Sequence, residues 1–473
     1  MAITDVAARP ARPAPPPPPP WNGSAPRPAW MPSRRLPVAF APLVVLGLIW
    51  CGAASTVAWW WIDTASVHGL SGWAIGAGRV TGLGAGYSMA VLLLLMARIP
   101  ALDRAVGTDR LVRWHAMGGR YAVSLVVAHA ALILWGYSVS AHANPVDQAK
   151  TLLLSYPDVL MATVAGALFV GVGISSARAA RRRMQYETWH LLHLYTYLAI
   201  ALSFSHSFAT GEQFTHSAPA RWAWSALYLG TVGAVVWFRL LTPVVQALRH
   251  RLTVAAVRVE GKDLVSIYLT GKDLHRLDAR AGQFFRWRFL TRDLWWAANP
   301  YSLSADPATE GLRITVKTEG RHSQALLRLR PGTKVFAEGP AGGLTAARRR
   351  RRKVLLIAGG VGVTPLRALF ASLPADFGDL TLLVRAASWP DVPLRAELDA
   401  IARQRGARVG YLIGRRARGY DPLRAAALEQ IVPDLKDHDV FVCGPDGMTV
   451  AAHAALRQAG VPRRRIHTES FAF

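Results

Sequence analysis

The sequence predicts a multi-domain membrane protein: a six-helix transmembrane bundle, then an antiparallel β-barrel, then an α/β nucleotide-binding domain. Three observations carry that expectation. Apolar residues make up 52% of the 473 residues and are concentrated in long blocks before about residue 243. Residues 252–345 then show short alternating stretches, such as Leu264–Leu269 and Leu312–Val316, separated by Gly, Asp and Pro, which is a β-barrel signal. Residues 353–473 alternate apolar strands with helical stretches: Val354–Ile357, Leu366–Leu373, Leu380–Val384, Val440–Val442 and Val450–Gln458, the pattern of a parallel nucleotide-binding sheet. The boundaries expected are a tail over 1–37, the helical bundle over 38–246, the barrel over 247–347 and the α/β domain over 348–473.

The tail is rich in Pro, Ala and Arg, with an unbroken run Pro15–Pro20. Such a segment favours extended polyproline II and builds no core, so it is expected to be a disordered cytoplasmic tail. Six apolar blocks follow at about 38–62, 72–97, 112–137, 155–177, 187–208 and 221–243, each near the ~20 residues that span a bilayer. Arg34 and Arg35 precede the first block. Arg98, Arg104, Arg110 and Arg113 lie between the second and third, Arg178 and Arg181–Arg183 between the fourth and fifth, and Arg239, Arg249 and Arg251 around the end of the sixth. The alternate loops hold only Asp63, Asp147, Lys150, Asp158 and Glu212 as charges before Arg221. The positive-inside rule places both termini in the cytoplasm of a multi-pass cell (plasma) membrane protein, with Trp59, Trp60 and Trp61 at the outer interface.

The formal net charge is +26, from 55 basic and 29 acidic residues. The Arg clusters flank apolar blocks and no recognition fold for nucleic acid is visible, so nucleic-acid binding is set aside. The run Arg348–Arg352 with Lys353 reads as a solvated linker in preference to a lipid-binding patch. Cys51 and Cys443 are the two cysteines. They fall in different halves of the chain and are too few for an iron–sulfur cluster, so a resident metal must be held by histidine or oxygen.

Histidines stand out inside the apolar blocks. His115 and His129 share the third block, fourteen residues or about 3.9 turns apart, with a rise of roughly 21 Å. They lie on nearly one face, one near each leaflet. The fifth block holds His190, His193 and His206; His193 and His206 rise by roughly 20 Å, which matches. Thirteen residues are about 3.6 turns, so this helix is expected to bend or change pitch locally. Two spans running the same way, each with a histidine pair, can ligate two stacked b-type haems. The plain alternative is hydrogen bonding from helix to helix, but four ionisable residues at matched heights favour haem. His190 is the spare, a supporting neighbour or propionate partner. Arg79, early in the second block, either snorkels to headgroups or pairs with an outer-haem propionate.

In the second half, Asn299-Pro300-Tyr301-Ser302 closes a strand. A Tyr there can cover an isoalloxazine and a Ser can reach flavin N5. Gly320 and Ser323, in GRHS, offer an amide and a hydroxyl to a pyrophosphate. In KVLLIAGGVGVTP, Gly359, Gly360 and Gly362, followed by Thr364 and Pro365, join a buried strand to a helix whose N-terminus favours phosphate. Cys443, Gly444 and Pro445 end a second strand, where a small thiol can lie beside a nicotinamide or be an ordinary buried cysteine. The terminal Phe473 can stack on the flavin until nicotinamide displaces it. Arg385, Arg415 and Arg416 lie at strand ends suited to a ribose 2′-phosphate, which favours NADPH over NADH.

With these residues in view, the chain from about 38 to 473 resembles the ferric reductase and NADPH oxidase superfamily. The likeness rests on the two histidine pairs, NPYSLS, GPAGG at 339–343, GGVGVTP, CGP and the terminal FAF. It implies that His115 with His193 holds the inner haem and His129 with His206 the outer one. The flavin motif of that family starts with Arg or His where this chain has Asn299. A further histidine found in eukaryotic oxidases is here Ile133, which weakens the case for a dedicated superoxide-producing site. The implied cofactors are FAD, two haem b and NADPH (or NADH). The implied activity is an NAD(P)H-dependent oxidoreductase passing electrons across the bilayer to a ferric chelate or oxygen. One rival is a cytochrome subunit serving a protein partner, for which the short outer loops offer little docking surface. Another is a transporter with a degenerate soluble domain, against which the intact glycine and flavin motifs argue.

Overall fold

The computed structural model describes residues 40–63, 67–261, 263–414 and 421–470. The expected tail over 1–37 lies outside them. The chain divides into two compact units, one of Pro37–Val106 with Arg110–Leu241, the other running from Thr242 onward and including Gly107–Asp109.

The first unit is helical. It comprises α1 (Ala41–Asp63), α2 (Gly69–Met96), α3 (Pro100–Val106), α4 (Thr108–Ala141), α5 (Pro145–Ser155), α6 (Val159–Ser176), α7 (Arg178–Arg181), α8 (Tyr186–Thr210), α9 (Glu212–His216) and α10 (Ala218–Val235). Beyond α10 a π-helical segment, Val236–Leu241, leads into α11 (Thr242–His250). Among the described residues, five helices are long and apolar enough to cross a membrane: Ala41–Ile62, Gly69–Met96, Arg110–Ala141, Val159–Ser176 and Ala218–His250. At most 22% of the apolar window in any of them is buried within the protein. Leu48, Trp50, Ile62 and Leu160 all stand open. Apolar helices that bury so little of their surface need hydrocarbon around them.

The expected fifth span corresponds to α8, which does not join those five. It has the length, 25 residues, but His190, His193 and His206 with six hydroxyl-bearing Ser and Thr lower its hydropathy. Its expected change of pitch is also absent, since no π- or 3₁₀-turn interrupts it. Hydroxyls instead bond back to carbonyls between and beyond the two histidines: Thr196 to His193 O, Ser203 to Ile200 O, Ser207 to Ser203 O and Thr210 to His206 O. Such bonds bend a helix smoothly. Small residues let the other helices close up. A Cβ on Gly136 of α4 would meet Ile75 Cγ1 of α2 at 2.6 Å, and one on Gly52 of α1 would meet the Tyr87 hydroxyl of α2.

The second unit starts with β1 (Thr253–Gly261), β2 (Leu264–Thr270), β3 (Phe284–Phe289), β4 (Asn299–Ser302), β5 (Leu312–Lys317) and β6 (Val335–Ala341), with the short α12 (Arg321–Ala325) before β6. Among the described residues these strands form no closed barrel. They make two three-stranded antiparallel sheets, β1-β2-β5 and β4-β3-β6, joined by single bridges at Thr253↔Lys334 and Leu303↔Ile314. β4 is only four residues long and contains Pro300, which donates no ladder bond, and register shifts interrupt β1. The sheets still share one core of Val265, Ile267, Phe285, Trp287, Leu303 and Ile314.

The remainder is α/β: β7 (Lys353–Gly359), α13 (Val363–Ser372), β8 (Leu380–Ala386), α14 (Arg395–Arg405), β9 (Arg408–Ile413), α15 (Ala425–Ile431), β10 (His438–Gly444), α16 (Asp446–Gln458) and β11 (Ile466–Ser470). All ladders are parallel and the order is β11-β10-β7-β8-β9. Alternate residues of β7 feed two cores, Val354, Leu356 and Ala358 on one face and Leu355 and Ile357 on the other. The basic run before β7 is not a solvated linker throughout. Arg349 is buried, its guanidinium donating to the carbonyls of Pro374, Arg351 and Arg352, and Asp439 accepts from the backbone N–H groups of Arg350 and Arg351. The buried carboxylate and orphan carbonyls make this run a folded clamp.

Candidate redox sites

In the helical unit, α4 and α8 bring the four predicted histidines together as two pairs. The rings of His115 and His193 are 5.9 Å apart between centroids and inclined at 66°; those of His129 and His206 are 6.4 Å apart at 64°. A metal ion between two imidazoles, with metal–nitrogen bonds of about 2 Å, sets the centroids roughly 6 Å apart. Both pairs fit that spacing.

The ring nitrogens are also ordered. His115 Nδ1 faces Leu92 O at 3.1 Å, and His129 Nδ1 faces Gly78 O at 2.7 Å. A carbonyl only accepts, so each Nδ1 carries the proton and leaves Nε2 bare for a metal. His206 Nδ1 lies 3.1 Å from Thr210 Oγ1, whose own proton goes to His206 O, so this Nδ1 donates too. His193 differs. Its Nδ1 is buried and has no hydrogen-bond partner among the described residues. The ring instead stacks on Trp189, 5.1 Å between centroids at 28°. Trp189 donates to Ser176 Oγ at 3.2 Å, and Arg181 Cζ lies 4.0 Å from its ring centroid. His190 joins neither pair; its ring is 6.4 Å from that of Trp189 between centroids, inclined at 43°. The support given by α2 and by Trp189 is absent from the sequence reading. Trp189, four residues before His193 in ETWHLLH, was the visible signal.

Arg79 is ion-paired with Glu212 of α9. This pair was not expected from the sequence, which offered a headgroup or a propionate as the partner. It explains how a cation is carried on an apolar helix without standing alone.

In the α/β part of the second unit, the chain runs β7, β8, β9 to one side and then returns to place β10 on the other side of β7. The carboxyl ends of β7 and β10 therefore flank a topological switch point, where such sheets bind their ligands. Gly359, Gly360 and Gly362 sit at the first of these ends, and Cys443, Gly444 and Pro445 at the second. The glycines have different tasks. Gly360 has φ +52° and open space beside it. A Cβ on Gly362 would lie 2.3 Å from Cys443 O, so this glycine lets the turn pack against β10. Thr364 and Pro365 are buried in the first turn of α13, and the Thr364 hydroxyl donates to Val361 O at 2.9 Å. Cys443 is fully buried. Arg385 ends β8 with its guanidinium turned onto Ala386 O and Leu412 O, at 2.6 and 2.9 Å. Arg415, Arg416 and Phe473 lie outside the described residues.

In the β-sheet part, β4 presents Asn299, Pro300, Tyr301 and Ser302 opposite Trp287, Arg286, Phe285 and Phe284. Burial pushes the Tyr301 hydroxyl up to about 12, so it stays neutral. Ser302 is buried, and the Asn299 amide nitrogen is buried with no partner among the described residues. Gly320 and Ser323 open α12, with Ser323 Oγ accepting from Gly320 N at 3.0 Å and donating to Gly320 O.

Two family models match the chain. Residues 81–204, which include His115, His129 and His193 and stop two residues short of His206, match the ferric reductase like transmembrane component, and residues 356–454 match the oxidoreductase NAD-binding domain. The chain belongs to the ferric reductase-like oxidoreductases. Among curated relatives, an NADPH oxidoreductase of Mycobacterium tuberculosis is 28% identical over 246 residues, covering 50% of this chain and 63% of that protein. Ferredoxin–NADP reductase B of Sorangium cellulosum is 33% identical over 189 residues, covering 36% and 77%. The ferredoxin reductase component of 3-ketosteroid-9-alpha-monooxygenase from Rhodococcus rhodochrous is 30% identical over 227 residues, covering 46% and 64%. The chain thus spans just under two thirds of the first and third of these relatives. Three of the paired histidines fall on the first matched part and the glycine turn with Cys443, Gly444 and Pro445 on the second, while Arg79, His206, Asn299–Ser302, Gly320 and Ser323 lie outside both.

Proposed function

We propose that this ferric reductase-like oxidoreductase takes electrons from NAD(P)H in the cytoplasm and delivers them across the plasma membrane to a ferric chelate or oxygen. The observation that carries the reading is the pairing of His115 with His193 and His129 with His206 at the spacing a bis-imidazole iron requires. Bound FAD supplies conversion of a hydride into single electrons, and two haem b groups supply one-electron transfer. The chain's own residues hold and orient these groups.

His115 and His193 hold the inner haem and His129 and His206 the outer one. Leu92 O, Gly78 O and Thr210 Oγ1 keep the protons of three of these imidazoles on Nδ1. The two ligand levels on α4 are roughly 21 Å apart in rise, within one bilayer thickness. α8 is the sixth span, and both termini are cytoplasmic. The domains are then a helical haem domain over 38–246, an FAD domain over 247–347 and an NAD(P) domain over 348–473. Tyr301 and Ser302 lie against the flavin, and Gly320 with Ser323 approaches its phosphates. The open amide flank of Gly360 at the switch point receives the dinucleotide phosphates. Cys443 lies beside the nicotinamide, and Phe473 covers the flavin in its absence. Arg415 or Arg416, with Arg385, favours NADPH.

The test is haem and flavin content of the purified full-length protein, with a reduced-minus-oxidised spectrum on adding NADPH. Two haems and one flavin per chain, both reduced by NADPH, are expected. His129→Leu and His206→Leu should each lose one haem while the flavin is still reduced. Absence of haem from the unmodified protein would falsify the reading. Parallel assays with oxygen and ferric citrate identify the acceptor.

A further inference from the structure

A buried polar chain links the strand of the flavin motif to the helix that follows the glycine turn. Ser304 lies two residues beyond Ser302. Its hydroxyl accepts from Arg313 Nε at 3.0 Å, and its carbonyl accepts from Arg313 Nη2 at 2.6 Å. Thr315 donates to the same hydroxyl at 2.7 Å and meets Ser266 Oγ at 2.9 Å. Arg313 Nη2 also reaches Glu397 Oε1 of α14 at 3.0 Å. The same carboxylate oxygen is ion-paired with Arg367 of α13. Arg367 then closes a fork on Glu310, with Nη2 to Oε1 at 2.8 Å and a second contact from Nη1 to Oε2. Glu310 is held in its turn by the N–H of Asp306. The Arg313 and Arg367 side chains are 7% and 4% exposed.

Two arginines and two glutamates balance in charge, so neither guanidinium is buried alone. Stability does not require them, because apolar side chains of similar size hold two modules together at least as well. What this chain of bonds adds is direction. A forked Arg–carboxylate contact fixes angle as well as distance. It acts between β5 and the Tyr301–Ser304 segment on one side and α13 and α14 on the other. α13 is the helix into which Gly359–Gly362 leads.

The geometry points to Arg313, Glu310, Arg367 and Glu397 as positioning residues that set the nicotinamide at hydride-transfer distance from the flavin. The assignment rests on the proposed binding of flavin along β4 and of dinucleotide at the switch point. None of the four touches the reacting atoms; they act through the backbone of the Tyr301 segment and of α13. Transfer rates are steep in distance, and a shift of about 1 Å caused by a remote change can cost ~100-fold. Binding of the dinucleotide depends on the glycine turn itself and is less sensitive.

The experiment uses the full-length protein and the variants Glu397→Gln, Glu310→Gln and Arg367→Lys. Flavin content, Tm, affinity for NADP⁺, the rate constant of flavin reduction by NADPH and the long-wavelength absorbance of nicotinamide stacked on reduced flavin are measured. The expected result is a hydride-transfer rate constant reduced ~10- to 100-fold, with flavin content retained, NADP⁺ affinity changed less than the rate, and the stacking absorbance weakened. If Glu397→Gln does not retain flavin, Glu310→Gln, at the more exposed end of the chain of bonds, decides. A lower Tm with an unchanged rate constant and absorbance would make the network a brace only and overturn the proposal. Failure of the unmodified protein to bind flavin or accept hydride defeats the function reading instead, and the two failures are distinct.

Discussion

Replacing Gly82 by alanine puts the proposed outer haem site under a defined strain. Gly82 lies in α2, and a Cβ there would stand 2.7 Å from His129 Nδ1 and 2.9 Å from its Cε1. Ordinary contact begins near 3.4 Å, so the ring must withdraw by about 0.7 Å (3.4 − 2.7). It is not free to do so, because the same Nδ1 donates to Gly78 O at 2.7 Å and the ring faces His206. Overpacking of this kind costs about 1–3 kcal/mol. At about 1.4 kcal/mol per tenfold, that lowers affinity of the outer site by roughly 5- to 150-fold.

The assay is haem content per chain, with the midpoint potentials of the retained haem. Gly82→Ala should purify with between one and two haems, the loss falling on the His129/His206 pair. Gly171→Ala serves as the control, since a Cβ there meets nothing within 4 Å. Two full haems with unaltered spectrum and potentials in Gly82→Ala would refute the argument that α2 orients His129 for a metal.

Two further outcomes concern the second unit. Gly362→Ala drives a Cβ into the backbone of Cys443 and Gly444, at 2.3 and 2.7 Å, and should destabilise the α/β part by about 1–3 kcal/mol; Gly360→Ala meets no atom but keeps φ +52°, and should cost about 1–2 kcal/mol. Denaturant unfolding with NADP⁺ binding distinguishes them, and equal stability of Gly362→Ala and the parent sinks the packing argument. Burial lowers His438 below its ordinary 6.5, against the hydrogen bond to Asp434 O and the Asp434 charge, which act to raise it. Its contribution is therefore complete above pH 6.5 and is lost as pH falls through the depressed folded value. Unfolding midpoints should decline below pH 6.5, and His438→Gln should flatten that slope; an identical slope in the variant excludes His438 as its source.

Much of this was legible in the sequence because it rested on periodicity and on costly residue placement. A histidine in an apolar block is expensive, so four at matched heights were informative before any contact was known. The strands β2, β5, β7, β8 and β10 fall where short apolar runs bounded by Gly, Asp and Pro placed them. The misses have physical causes. Closure of a barrel depends on ladder bonds between distant strands, and the four-residue β4 with Pro300 cannot supply them along its length. Arg349 read as solvated because a run of arginines usually is, while its acceptors at Pro374 O and beside β7 are set by tertiary packing. Arg79 found Glu212, 133 positions away in sequence, which no local pattern could indicate. The Arg313–Glu397–Arg367–Glu310 chain joins residues that each look like ordinary surface charges in their own segment.

The same reasoning bears on α8, whose low hydropathy follows from the job proposed for it. A helix of 25 residues rises roughly 37 Å, enough to cross hydrocarbon about 30 Å thick. What hydrocarbon penalises is a polar group left unsatisfied. Thr196, Ser203, Ser207 and Thr210 return their hydroxyl protons to carbonyls of the same helix, and Ser205 donates to Asp158. The His206 ring proton goes to Thr210, and the His193 ring is covered by Trp189. The polar atoms that count against α8 in a hydropathy average are therefore mostly paired within it. The His206 Nε2 left bare by that bond faces His129, and the His193 ring faces His115, where a haem iron would sit. If the proposed function holds, a span that carries two metals must give up hydropathy at those levels, and the departure of α8 from the other five follows from ligation.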